Sequence, residues 1–154
     1  MSRVIFLDAG PLGLATNPVR SPEVEAILVW LDTLLAAGNR IVVPAIADYE
    51  VRRELIRLNR RRSLARLDAF NSAAEGRYVP LSDPALRLAA SLWAQARNAG
   101  TPTADPRELD CDVLIAAQAL SLGAPSEELV VATTNVGHLA RFLAAAPWTS
   151  IKAG

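Results

Sequence analysis

The sequence is short of several things at once. It has one cysteine, Cys111, one histidine, His138, and one lysine, Lys152. A single cysteine excludes an internal disulfide and suits a reducing compartment. No stretch approaches the roughly 20 apolar residues of a spanning helix. The apolar run Val4–Leu7 is too short for the core of a signal peptide. A soluble cytoplasmic protein with no membrane partner is expected. Formal net charge is zero, so no global field draws the chain onto nucleic acid. Aromatic residues make up 5 % of the chain, and the sequence shows no evident stacking platform for single-stranded bases.

Motif absences narrow the chemistry. There is no G-x-x-x-x-G-K-[ST] and no G-x-G-x-x-G, so no loop of those kinds cradles a nucleotide. There is no G-x-S-x-G elbow. Asp8 follows a strand-like run, as a phosphoaspartate would. A haloacid dehalogenase-like phosphatase needs a second acid two residues on, where Gly10 stands, and a response-regulator receiver needs a lysine near the site, whereas Lys152 lies in the tail.

What is present alternates between strand and helix over 154 residues, read as one domain, 1–154. "RVIFLD" (3–8), "RIVVP" (40–44), "YVPL" (78–81), "ELVVATTN" (128–135) and "WTSI" (148–151) read as strands. Residues 21–39 and 82–100 read as helices opened by Ser then, one or two residues on, Pro. Residues 45–75 read as helical, as two helices meeting near Asn59. Residues 101–108 read as a loop, 111–123 as a helix stopped by Gly123, and 137–146 as a short helix. Such alternation predicts an α/β fold, a parallel sheet covered by helices on both faces.

Ligands of open parallel sheets bind outside the carboxyl ends of the strands. Asp8 ends the first strand, where Gly10 and Pro11 are expected to break the chain. Glu50 follows the second strand, Asp110 and Asp112 open a late helix, and Asn135 ends the strand 128–135. Each has an ordinary alternative. Asp8 suits a turn, Asp110 or Asp112 suits a helix cap, and Glu50 suits a surface pair with Arg53. Asn135 suits a turn before Gly137. Both acids of the 110/112 pair cannot cap one helix, and Glu50 borders the apolar stripe Ala47, Val51, Leu55 and Leu58, whereas Glu54 reads as a solvated charge. Carboxylates converging from distant segments suit a hard cation, Mg²⁺ or Mn²⁺, and metal-assisted phosphodiester hydrolysis.

Four stretches, "VIFLDAGPL" (4–12), "PAIADYEVRREL" (44–55), "LDCDVLIAAQAL" (109–120) and "ATTNVGHLARF" (132–142), resemble the PIN-domain nucleases, the family that includes the VapC-type toxins of toxin–antitoxin pairs. The resemblance runs nearly end to end. It implies a PIN-like three-layer α/β/α sandwich with a central parallel sheet and a Mg²⁺- or Mn²⁺-dependent ribonuclease site. By position in these motifs, Asp8, Glu50 and Asp112 match the family's acidic triad as catalytic and metal-holding residues. Asn135 matches a fourth position that is often Asp. Asp110 competes with Asp112, which is favoured because it directly precedes "VLIAA". His138 stands where relatives often carry an acid, and is read as a contact to substrate phosphate or as structural. The resemblance also implies an RNA substrate, a cognate antitoxin and a homodimer.

Between Arg52 and Arg66 stand seven arginines against one acid, Glu54. Arg52, Arg53, Arg60, Arg61 and Arg62 are the candidates for RNA phosphate; the alternatives are a solvated helix face or a docking surface for an acidic partner. The alternative function is a catalytically weak PIN-like module that binds RNA or a partner, favoured by the neutral Asn135.

Overall fold

The computed structural model describes residues 2–100 and 106–154. Five strands form the sheet: β1 (Val4–Leu7), β2 (Arg40–Pro44), β3 (Tyr78–Val79), β4 (Leu129–Ala132) and β5 (Ala145–Ala146). The helices are α1 (Ala9–Ala15), α2 (Pro22–Ala36), α3 (Ala45–Arg57), α4 (Arg61–Ser72), α5 (Asp83–Asn98), α6 (Pro106–Leu120) and α7 (Val136–Leu139). All pairings are parallel, in the order β3-β2-β1-β4-β5. The chain therefore winds outward from β1 to one side and then returns to β4 on the other. A crevice opens between the carboxyl ends of β1 and β4, where the winding reverses.

β1 and β4 are buried along their whole length, as near-continuous Val/Ile/Leu strands covered on both faces must be. Side chains alternate across β1. Ile5 and Leu7 pack with Leu12 of α1, Ile27 and Leu34 of α2 and Leu67 of α4. Val4 and Phe6 pack on the other side with Ile115 and Ala119 of α6. A further cluster joins Ala89 and Ala96 of α5 to Leu109, Val113 and Ala117 of α6. With helices packed on both faces of the sheet, the layers are those of an α/β/α sandwich.

Several boundaries differ from the sequence reading. The chain does not break after Asp8. Asp8 caps α1, its Oδ1 accepting the Ala9 N–H at 2.7 Å, with Gly10 and Pro11 in the first turn. Proline is tolerated there because a first-turn N–H has no helical acceptor to lose. For the same reason α6 starts at Pro106, five residues ahead of the expected start, within the stretch read as a loop; residues 101–105 of that loop lie outside the described residues. The helix read over 137–146 is only α7, because Ala145 and Ala146 pair with Val131 and Ala132 as the edge strand. The strand read at 148–151 is instead a single 3₁₀ turn, Trp148–Ser150, after Pro147. The expected break near Asn59 is present. Asn59 adopts φ +53° between α3 and α4, a left-handed conformation that asparagine accepts more readily than most residues.

Candidate active site

The crevice is built from both switch-point strands. Asp8 leaves β1, its backbone N–H donating to the Ala132 carbonyl of β4 at 3.0 Å. Thr133 follows β4 and is fully buried. Its hydroxyl donates to Asp8 Oδ2 at 2.7 Å and accepts the Asn135 N–H at 2.9 Å. Asp8 thus has one hydrogen bond on each oxygen, and each oxygen keeps a lone pair for another ligand. Thr133 was not singled out in the sequence. The signal was a hydroxyl immediately after an all-apolar strand beside the acid-bearing one.

Glu50 and Asp112 approach from α3 and α6. Asp112 is 7 % exposed, although it carries a carboxylate. Its Oδ2 lies 3.3 Å from His138 Nδ1, and the same ring nitrogen lies 3.0 Å from Asn135 Nδ2. The two contacts ask for opposite states of that nitrogen. The amide N–H needs a bare Nδ1, whereas Asp112 needs Nδ1–H. Turning the Asn135 amide about would present its oxygen to an Nδ1–H, with the Asp112 carboxylate beside the ring. His138 is therefore bonded to Asn135 and stands beside Asp112, and Asn135 itself is exposed at the mouth of the crevice.

The Glu50 carboxyl is pushed upward from its ordinary value. Burial raises its pKa first, then the charge of Asp8; Arg53 and a hydrogen bond from Cys111 pull it down, and Asp112 pushes it up again. Its Oε1 is buried and accepts no hydrogen bond. Burial, then the Glu50 charge, pushes the Cys111 thiol up to about 11, which leaves it protonated and unreactive at neutral pH. Among the described residues no ion pair joins Glu50 to Arg53, so the surface-pair alternative does not describe Glu50. Glu54 does behave as a solvated charge, paired with Arg57 at 2.8 Å.

Asp110, read as a competing ligand or as a helix cap, does not cap α6. With α6 starting at Pro106, it sits inside the helix, exposed, two residues from Asp112 and so on a different face. Gln118, 2 % exposed, fixes α6 instead. It accepts from Ile46 N–H at 3.2 Å and donates to the Val79 carbonyl at 3.0 Å, locking α6 against the start of α3 and the end of β3. The spacing of Glu50 from Asp112 depends on that lock.

The five arginines divide. Arg52 is bound by Asp48 through both nitrogens, at 2.9 and 3.0 Å, and by Asp68 at 2.7 Å. Asn71 adds a bond to Asp48 at 2.8 Å. Arg52 thus clamps α3 to α4, and its fork is already taken by carboxylates. Arg53 lies 5.2 Å over the Tyr49 ring and is exposed on the rim near Glu50. Arg60, Arg61 and Arg62 are exposed and line a groove of about 770 Å³ with Val19, Leu55 and Leu58.

Among the described residues, no three carboxylate, imidazole or thiol groups are gathered tightly enough to form a complete ligand set. The arrangement is a looser acidic cluster, in which Glu50 feels the charges of Asp8 and Asp112. It still fits Mg²⁺ or Mn²⁺. Mg²⁺ keeps several waters and needs only one or two protein carboxylates, and the donors here are oxygens, with one buried oxygen of Glu50 unbonded. Among the described residues, no helix is long and apolar enough to cross a membrane.

A family model for the PIN domain matches residues 5–140. No curated protein matches the chain. Solved structures do. The crystal structure of FitAcB from Neisseria gonorrhoeae matches with a TM-score of 0.66 at 22 % identity, over 96 % of this chain and 99 % of that one. VapBC2 from Rickettsia felis, bound to a DNA fragment from their promoter, matches with a TM-score of 0.66 at 19 % identity, over 94 % and 98 %. VapBC-1 from nontypeable Haemophilus influenzae matches with a TM-score of 0.59 at 16 % identity, over 96 % and 99 %. At these identities the likeness speaks for the fold alone, whereas the family model covers most of the sequence: the chain belongs to the PIN-domain family.

Proposed function

We propose that the protein is a divalent-metal-dependent endoribonuclease that hydrolyses RNA phosphodiesters in the cytoplasm, the toxin of a toxin–antitoxin pair. The observation that carries this reading is the meeting of Asp8, Glu50 and Asp112. Three acids from separate segments share one crevice, and Glu50 feels the charge of both others. Its Oε1 is buried and accepts no hydrogen bond from the chain, and a positive ligand would complement it.

Asp8, Glu50 and Asp112 would hold Mg²⁺ or Mn²⁺, with Asn135 as a neutral fourth group. The ion would supply an activated water at neutral pH and charge stabilisation for the phosphoryl oxygens. The rest is work for the chain. Thr133 holds Asp8 in one orientation, Gln118 ties α6 to the start of α3, and His138 stands beside Asp112 where its charge would bear on that carboxylate. Arg53 on the rim and Arg60, Arg61 and Arg62 along the groove would bind RNA phosphates on either side of the cut. The likeness to FitAcB and the VapBC structures supports a cognate antitoxin as partner, and the family resemblance supports a homodimer.

The test is direct. Purified protein should cleave single-stranded RNA with Mn²⁺ and stop when the metal is chelated, and Asp112→Asn should abolish cleavage. Activity that survives either treatment ends this reading. A second reading, a PIN-like binding module with little turnover, is favoured by one observation: the fourth position is a neutral amide already engaged with His138. On that reading RNA binds without metal and is not cut.

A further inference from the structure

A smaller cavity, of about 310 Å³, opens on another flank of α1. Gly10, Asn17, Glu23, Thr134 and Trp148 are among the residues that line it. It begins at the catalytic edge, because Gly10 lies two residues beyond Asp8 and Thr134 directly follows Thr133. The two walls meet closely: a Cβ on Gly10 would stand 3.2 Å from Thr134 Cγ2. The cavity shares Gly13 and Asn17 with the arginine-lined groove, so the two are continuous around α1. Its volume is at the lower end of small-molecule pockets, about 300–1,000 Å³, room for one ring system rather than a folded segment.

The lining carries three functions that recognise a base. Trp148 offers an aromatic surface, braced from behind by Trp30, with ring centroids 5.5 Å apart at 54°. Trp30 is itself fixed by its Nε1–H, which donates to the Ile151 carbonyl at 2.8 Å. Asn17 accepts the Val19 N–H through Oδ1 at 3.0 Å, which turns the amide so that Nδ2 remains a donor. Glu23 is exposed and, among the described residues, makes no side-chain hydrogen bond or ion pair, unlike Glu25, which pairs with Arg20.

Resting on the ribonuclease reading, we propose that this cavity takes one unpaired nucleobase of the RNA strand next to the cut, and that it prefers guanine. Single-stranded RNA is recognised by stacking bases on aromatic rings and hydrogen-bonding their Watson–Crick edges. A carboxylate has two acceptor oxygens and no donor. Guanine alone offers two adjacent donors on that edge, N1–H and N2–H, with O6 beside them to accept from Asn17. Adenine and cytosine set a ring-nitrogen lone pair against the second oxygen, and uracil flanks its single N–H with two carbonyls.

The probe is guanosine 5′-monophosphate against the adenosine, cytidine and uridine monophosphates, titrated without metal and read by quenching of tryptophan fluorescence. Guanosine monophosphate should bind tighter than the others by about tenfold, the scale of one good bidentate contact. Glu23→Gln should erase that preference and leave weak, unselective binding. Because Trp148 also packs on the core, the exposed Glu23 position is the decisive one. Equal affinity for all four nucleotides, or a guanine preference unchanged in Glu23→Gln, overturns the proposal. The nuclease reading is separable. RNA cut with no bias towards guanine beside the scissile bond removes the pocket and leaves the nuclease. Glu23-dependent guanine binding by a protein that never cuts RNA supports the pocket and removes the nuclease.

Discussion

Thr133→Val keeps the shape of a fully buried side chain and deletes one hydroxyl. That hydroxyl donates to Asp8 Oδ2 at 2.7 Å, a short bond to a charged acceptor. Hydrogen bonds to charged groups contribute about 1.5–3 kcal/mol. The added methyl returns roughly 0.8 kcal/mol by burial. The Asn135 N–H also loses its acceptor, but Asn135 is exposed and water replaces it. The net loss should be about 1–2 kcal/mol, a fall in Tm of about 2–8 °C for a chain of this size. The assay is a double-mutant cycle with Asp8→Ala by urea denaturation without metal, which should show a coupling of about 1 kcal/mol or more. RNA cleavage should drop about 10–100-fold, as when the support of a metal-holding group is lost. Full stability of Thr133→Val, or strict additivity with Asp8→Ala, would refute the role given to Thr133.

Four further outcomes are expected. Glu50→Gln should raise Tm of the metal-free protein at neutral pH. The folded state raises the Glu50 pKa, so wild-type stability falls as pH rises through that value; the advantage of Gln should shrink as pH drops below it, which thermal melts across pH would check. Asp110→Ala should leave cleavage near wild type whereas Asp112→Ala abolishes it, the reverse result showing the two acids assigned the wrong way round. Replacing Arg60, Arg61 and Arg62 together by Gln should flatten the salt dependence of RNA binding by about 2 in slope, at roughly 0.7 per lost phosphate contact, and an unchanged slope would assign the three to a protein partner. Arg52→Met should instead cost stability, about 1–3 kcal/mol in chemical denaturation, because it leaves the buried carboxylate of Asp48 with only its Asn71 bond.

The sheet was legible because its inner strands are nearly all Val, Ile, Leu and Phe, a pattern that few other structures produce. The acids were legible because polar residues at the carboxyl ends of such strands stand out against them. Where the reading failed, a local signal had two meanings. Proline at Pro11 and Pro106 reads as a breaker, yet within a first turn it costs a helix little. Ala144–Ala146 reads as helix by propensity, yet β4 needed a partner and took Ala145 and Ala146 as a strand. Gln118 and Trp148 left no sequence signal of their own, and Thr133 only its place after the strand, since each acts through contacts with residues distant along the chain. The basic stripe was visible as composition, but only the packing of α3 on α4 separates Arg52, held by Asp48 and Asp68, from the exposed Arg60–Arg62.

The most direct measurement pairs calorimetric Mn²⁺ titration with RNA cleavage on the same preparations of wild type and Asp8→Asn. The wild type should bind Mn²⁺ and cleave only when loaded, and Asp8→Asn, with an unchanged circular dichroism spectrum, should lose most of the binding and all of the cleavage. Equal Mn²⁺ binding by the two proteins, or cleavage by Asp8→Asn at the wild-type rate, would contradict a metal-dependent nuclease site at the β1–β4 crevice.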